Sequence, residues 1–151
     1  MDIINHVPAR YIPKTLSKRD KEKQIRALRK SRKMYKKKQY FNRPTLKSFK
    51  SKSSPHIQRA KQLYGVESIT ASKQLAKKTR CSVNALQKII SKGEGAFFSS
   101  GSRPNQTSES WARARLASSI TGGPASKIDY RILETGCKQN SPALNMAIKP
   151  F

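Results

Sequence analysis

The chain has 151 residues and carries 33 Lys+Arg against 8 Asp+Glu, a formal charge of +25. That length fits one domain with room for an arm. Its 35% hydrophobic and 7% aromatic content is thin beside the roughly 45–50% apolar usage of fully globular proteins. A chain so charged repels itself unless something acidic lies against it, so the expected partner is nucleic acid, an acidic protein surface or an anionic membrane. The membrane is the weakest of these, because there is no lipidation signal and no apolar run near ~18 residues. Met1-Asp2-Ile3-Ile4-Asn5 lacks a basic-then-apolar leader pattern, which favours an intracellular protein. Cys81 and Cys137 make no disulfide framework by themselves, in keeping with a reducing compartment.

The charge is concentrated near the start. Residues 1–60 hold 19 Lys+Arg and 3 acids, whereas residues 61–151 hold 14 and 5. The densest stretch, Ser17–Lys38, contains Lys18, Arg19, Lys21, Lys23, Arg26, Arg29, Lys30, Arg32, Lys33, Lys36, Lys37 and Lys38, opposed only by Asp20 and Glu22. It still reads as a helix. Ser17 followed by Asp20 resembles a capping box, and no Gly or Pro interrupts the run before Arg43-Pro44. Ile25, Leu28 and Tyr35 form a narrow apolar stripe, with Ala27, Ser31 and Met34 beside it. Like charges at i, i+4 (Arg26 with Lys30, Arg29 with Lys33, Lys33 with Lys37) destabilise the helix in isolation. The expectation is a polyanion-binding arm that is helical only against an acidic partner.

After a Ser/Lys-rich linker between Thr45 and Ser54, the punctuation becomes regular. Ser54-Pro55 starts a helix that Gly65 stops, with Ile57, Ala60, Leu63 and Tyr64 inward. A second helix is predicted from about Thr70 to Thr79. A third is capped by Ser82, buries Val83, Leu86, Ile89 and Ile90, and stops at Gly93. Leu75-Ala76, Cys81 and the Leu86/Ile89 pair have helix-turn-helix spacing. This makes Ser82, Asn84, Gln87 and Lys88 a candidate recognition-helix face. The turn usually carries Gly; here Arg80 holds that place.

Residues 93–107 read as a loop. Ser99, Ser100, Ser102 and Arg103 form a candidate anion loop, although the Gly-Lys-Ser/Thr ending of a P-loop is missing. The blander reading plugs Phe97 or Phe98 into the core. Thr107 and Glu109 open a further helix with Ala112, Leu116 and Ile120 on one face, and Gly122-Gly123-Pro124 ends it. Arg113 and Arg115 flank that face, either to bind a phosphate or acidic partner or to lay their stems over the core. Ser126 and Asp129 box a helix closed by Gly136. Ser141-Pro142 starts a last apolar segment with Leu144, Met146, Ile148 and Pro150-Phe151, which should dock on the chain's own core or on a neighbour.

Enzyme chemistry is poorly supplied. The histidines are His6 and His56, no His/Cys cluster has zinc spacing, and the acids are scattered. Asp129 and Glu134 are the ones that could converge with others in three dimensions, as in a metal-dependent nuclease. No enzyme activity, cofactor, metal or small-molecule substrate is expected.

Several blocks carry a family resemblance: Arg10-Tyr11-Ile12-Pro13, Ser31-Arg32-Lys33, Arg43-Pro44, Lys50–His56, Ile69-Thr70-Ala71-Ser72, Gly95–Thr107 and Ser110–Ser118. Over about residues 10–137 the chain resembles an uncharacterised domain family encoded by large nucleocytoplasmic DNA viruses, including those of chlorella, with relatives in some phages. The block Ser99–Thr107 is its most specific part. The family pattern has Gly where Arg80 sits and Lys where Pro124 sits; both changes fall in turns and weigh on the DNA-reading geometry more than on the fold. The family carries no established activity, so the resemblance implies a setting, the virus particle.

The expected protein is mainly α. A basic arm with one long helix (1–53) precedes a compact helical domain with a helix-turn-helix-like pair (54–137) and a C-terminal docking tail (138–151). Its expected role is that of a non-enzymatic virion structural protein, a minor capsid protein on the inner shell face. The expected partners are acidic surfaces of other capsid proteins and double-stranded DNA, with no membrane span. Its expected location is the virion, and the host cytoplasm or nucleus during assembly. The alternative is a helix-turn-helix DNA-binding protein.

Overall fold

A computed structural model describes residues 7–149, and within them the chain is mainly helical. His6, Pro150 and Phe151 lie outside the described residues. After a short 3-10 turn at Ala9–Tyr11 come α1 (Lys18–Lys36), α2 (Pro55–Tyr64), α3 (Lys73–Thr79), α4 (Val83–Ser99), α5 (Ser108–Ile120), α6 (Pro124–Ile128), α7 (Tyr130–Gly136) and α8 (Pro142–Ile148). The described chain forms two compact units. The first joins the residues up to Lys52 with Glu94–Ser108, and the second joins Ser53–Gly93 with Glu109 onward. This division differs from the expected boundaries at 53 and 137. The segment Glu94–Ser108 belongs with the N-terminal part, and the C-terminal tail belongs to the second unit.

In the first unit, α1 is not a free arm awaiting a partner. Ser17 caps it by accepting from the Asp20 amide at 3.1 Å, and its buried face is Gln24, Ala27, Leu28 and Ser31. That face is rotated from the expected Ile25/Leu28/Tyr35 stripe because polar Gln24 and Ser31 find internal acceptors. Gln24 Nε2 donates to the carbonyls of Tyr11 and Ser102, and Ser31 Oγ donates to the Phe98 carbonyl at 2.9 Å. A buried polar side chain with such partners costs little. Tyr11, Leu16, Leu46 and Phe97 complete the buried apolar set. Asn105 ties the 46–49 loop down, accepting from the Leu46 amide and donating to the carbonyls of Leu46 and Phe49.

The start of α1 is clasped to the same loop. The Asp20 carboxylate accepts from Ser48 Oγ at 2.5 Å and from the Ser48 amide at 3.0 Å, while the Ser17 amide donates to Ser48 Oγ. The Ser48 hydroxyl and amide, helped by Lys23 and Arg19, hold the Asp20 carboxyl below its ordinary 3.8. A carboxyl depressed in the folded state stabilises it above the unfolded pKa and stops doing so as pH falls through the folded value. The Ser48 amide should therefore shift in an NMR titration only below about pH 3.8. Asp20→Asn, which cannot ionise, should abolish that dependence; an unchanged titration in the variant would refute the clasp.

The second unit holds the larger core. Ala60, Tyr64, Val66, Ile69, Leu75, Leu86, Ile89, Leu116, Ile120, Leu133 and Leu144 are among its buried members. The α2 helix ends as predicted at Gly65, which is left-handed (φ +62°). Ser72 caps α3 by accepting from the Leu75 amide, so that helix starts later than Thr70. Gly93 does not stop α4. A Cβ at Gly93 would lie 2.7 Å from the Ala112 Cα, so here the glycine serves a close α4–α5 crossing rather than a helix end. The expected helix over 126–136 breaks at Asp129 into α6 and α7. The tail docks on its own chain: Ser141 caps α8, and Ala143, Leu144 and Ala147 are buried in the core.

Cys81 and Cys137, expected to remain thiols, are paired in a disulfide across 56 residues. Ser82 N donates to the Gly136 carbonyl at 2.8 Å and Lys138 N to the Arg80 carbonyl at 2.9 Å. These two backbone bonds draw the α3–α4 turn and the α7–α8 connection into an antiparallel bridge. The spacing of 56 residues carried no hint of this pairing, which removes the cysteines as an argument for a reducing compartment.

Candidate polyanion interface

The inward face of α1 is committed to the first unit, which fixes what points outward. Arg19, Lys23, Arg26, Arg29, Lys30, Lys33, Lys36 and Lys37 are exposed and recur at i, i+3 or i+4, the spacing that gathers side chains on one side of a helix. Lys18, the first residue of α1, and Lys38, beyond its C-terminal end, are also exposed, and Lys21 is half-buried. Glu22 is the acid exposed on this helix, since Asp20 is occupied by Ser48. The result is a cationic stripe about 27 Å long at 1.5 Å per residue. Lys30 extends over the Phe41 ring, with Nζ 4.5 Å from the centroid.

Arg32, expected on this stripe, is half-buried and turned inward. Its Nε and Nη2 donate to the Ser100 carbonyl at 3.1 and 2.7 Å. Arg43, which the sequence shows only as the residue before a proline, sits beside it. It donates to the Phe97 carbonyl at 2.7 Å, to Ser102 Oγ at 2.7 Å and to Ser31 Oγ at 3.1 Å, with its guanidinium 3.9 Å from the Phe97 ring centroid. Burial pulls its pKa down from 12.5 to about 10, and the Arg32 charge adds to this while Tyr11 opposes it. The two arginines occupy the carbonyls at the C-terminal end of α4, where the helix dipole favours cations.

That arrangement reverses the expected anion loop. The Ser100 carbonyl and Ser102 hydroxyl accept from arginines, and Ser102 Oγ also donates to the Arg103 carbonyl. Ser99 is the last residue of α4, and Ser99, Ser100 and Arg103 are exposed. The Ser100 carbonyl and Ser102 hydroxyl are therefore engaged by the chain's own cations, and Ser99, Ser100 and Arg103 are the members of this set on the surface. The signal available in sequence was the run of small residues after Phe97-Phe98. Such a run suits close backbone approach by an arginine as well as by a phosphate.

Ser82, Asn84, Gln87 and Lys88, the candidate recognition face, are all exposed. Ser82 Oγ accepts from the Ala85 amide as a cap, and Gln87 Nε2 reaches Ser91 Oγ at 3.3 Å. A Cβ at Gly136 would lie 2.3 Å from the Ala85 Cβ, so the end of α7 abuts this part of α4. A groove of about 290 Å³ runs between them, with Asn84 and Lys88 on one wall and Arg131 and Thr135 on the other. In the turn itself, Arg80 adopts the left-handed conformation (φ +59°, ψ +34°) that a glycine would take more easily.

The other candidate residues are accounted for structurally. Arg115 donates from Nη2 and Nε to the two Asp129 oxygens at 2.7 and 3.1 Å, and Ser119 Oγ adds a third bond at 2.7 Å. Asp129 is fully buried and its oxygens are occupied, whereas Glu134 and Arg113 are exposed. Among the described residues, no group of three or more His, Cys, Asp or Glu could hold a metal ion. No described helix is long and apolar enough to cross a membrane.

Fold and surface together define a small, mainly helical protein whose densest run of positive charge lies along one anchored helix. The chain belongs to a family of unknown function (DUF5824), which matches residues 8–131. No curated protein and no solved structure matches it.

Proposed function

We propose that the protein is a non-enzymatic structural component of a virus particle, a minor capsid protein on the inner shell face whose α1 stripe lies against packaged DNA. The observation that carries the binding half of this reading is a cationic face held by its own fold. Gln24, Leu28 and Ser31 are buried on one side while Arg26, Arg29, Lys33 and Lys36 are exposed on the other. The setting rests on the sequence resemblance described above. Acidic capsid neighbours would satisfy the same face. The second reading is a helix-turn-helix DNA-binding protein, favoured by the left-handed turn at Arg80 and by exposed Asn84 and Lys88.

Binding of the purified protein to duplex DNA across a salt series separates these. The structural reading expects a steep fall of affinity with salt and no sequence preference, because counterion release dominates. Sequence discrimination that vanishes on Asn84→Ala would overturn it in favour of the second. Copy number in the shell after genome removal tests the setting; a protein lost entirely with the DNA would not be a capsid component.

A further inference from the structure

Where α1 ends, an aromatic series leads from the core of the first unit to its surface. Phe97 is buried; Phe98 meets it edge-on with centroids 5.1 Å apart. Tyr35 lies nearly parallel to Phe98 (6.4 Å, 11°), and Tyr40 contacts both Phe98 (5.1 Å) and Tyr35 (6.1 Å). Tyr40 is nevertheless 66% exposed. It is not carried on a loose tail. Lys38, at φ +60°, reverses the chain, and the amides of Lys37, Lys38 and Gln39 return to the carbonyls of Met34 and Tyr35. Lys36, Lys37 and Lys38, all exposed, surround the turn.

An exposed aromatic ring loses apolar burial, and this one is held in place by two ring contacts and three backbone bonds amid cations. We propose that Tyr40 is a base-stacking platform, and that the end of α1 binds unpaired nucleotides of single-stranded nucleic acid. Phosphates run along the lysines while a base covers the Tyr40 ring. This deepens the α1 reading and rests on it. The charge around Tyr40 selects an anionic chain over a neutral ligand, and a free aromatic face selects one whose bases are not already stacked in a duplex.

The test is fluorescence anisotropy with labelled oligothymidylate, an abasic strand of the same length and a duplex, for the wild type, Tyr40→Ala and Tyr40→Trp. The wild type should bind oligothymidylate about tenfold more tightly than the abasic strand, the order expected of one stacked base. Tyr40→Ala should erase that difference while leaving abasic and duplex affinities unchanged, and Tyr40→Trp should retain it. Equal wild-type binding to the thymidylate and abasic strands would overturn the stacking proposal and leave the α1 reading standing. So would a preference that Tyr40→Ala does not alter. Failure of the wild type to bind any of the three would overturn both. Circular dichroism of the variants confirms that the exposed substitution leaves the fold intact.

Discussion

Replacing Arg26, Arg29, Lys33 and Lys36 together with Gln should weaken binding to duplex DNA by about two to three orders of magnitude at low salt. The slope of log K against log salt should become shallower by about 3–4, at roughly 0.9 for each phosphate that is no longer neutralised. All four side chains are exposed on one face of α1 and none belongs to its buried set. The same variant should be more stable than the wild type. Arg26 with Lys30, Arg29 with Lys33 and Lys33 with Lys37 are like-charge pairs at i, i+4, each costing about 0.2–0.5 kcal/mol, and the substitutions relieve all three. Opposite signs in the two measurements identify a surface whose charge opposes folding. Unchanged DNA affinity would show that the partner lies elsewhere.

The second large effect belongs to the interior. Asp129→Ala should destabilise the protein by about 3–5 kcal/mol, since it leaves a charged group without its partner inside the fold. Asp129 is fully buried, and the Arg115 side chain is 18% exposed. The Ser119 hydroxyl, bonded to the same carboxylate, loses its acceptor too. Total stabilities run to only about 5–15 kcal/mol, so the variant should melt roughly 10–20 °C lower. Removing the ion pair whole, as Arg115→Met with Asp129→Leu, should cost less than Asp129→Ala alone, because no uncompensated charge remains. A double variant as unstable as the single would place the effect in packing instead of electrostatics.

Local signals were legible where one residue suffices to start or stop a helix. Ser17, Gly65, Ser82 and Ser141 do what their types and positions suggest. The fold class followed from these. Sequence failed where a residue acts through something distant. Gly93 reads as a stop because glycine is flexible, yet its use is to let Ala112 approach. Ser99–Arg103 reads as an anion loop because its donors are local, whereas the arginines that claim its acceptors sit 59 to 68 positions away. The cysteines, 56 residues apart, give no periodic or motif signal at all. For the candidate site, the cations of α1 were plain in the sequence. Which of them face outward was not, because Gln24 and Ser31 turn the helix on its axis for polar reasons that an apolar stripe does not reveal.

The first unit is assembled from two separated pieces of chain, the residues up to Lys52 and Glu94–Ser108, and this orders events during synthesis. A ribosome adds about 5–20 residues per second, and a contiguous N-terminal domain folds first. Here α1 leaves the ribosome while the carbonyl of Phe98 that receives Ser31, and that of Ser100 that receives Arg32, are still unmade. At that pace the interval between α1 and Ser108 is about 4–14 s, during which the acceptors of Ser31 and Arg32 are missing and only nearer contacts such as the Asp20–Ser48 clasp are available. The nascent segment is then a polycation whose inner face is incompletely paired, and that face is completed only when the later piece arrives. A fragment that stops before Glu94 lacks those acceptors, so the later piece must be made before the inner face of α1 is fully held.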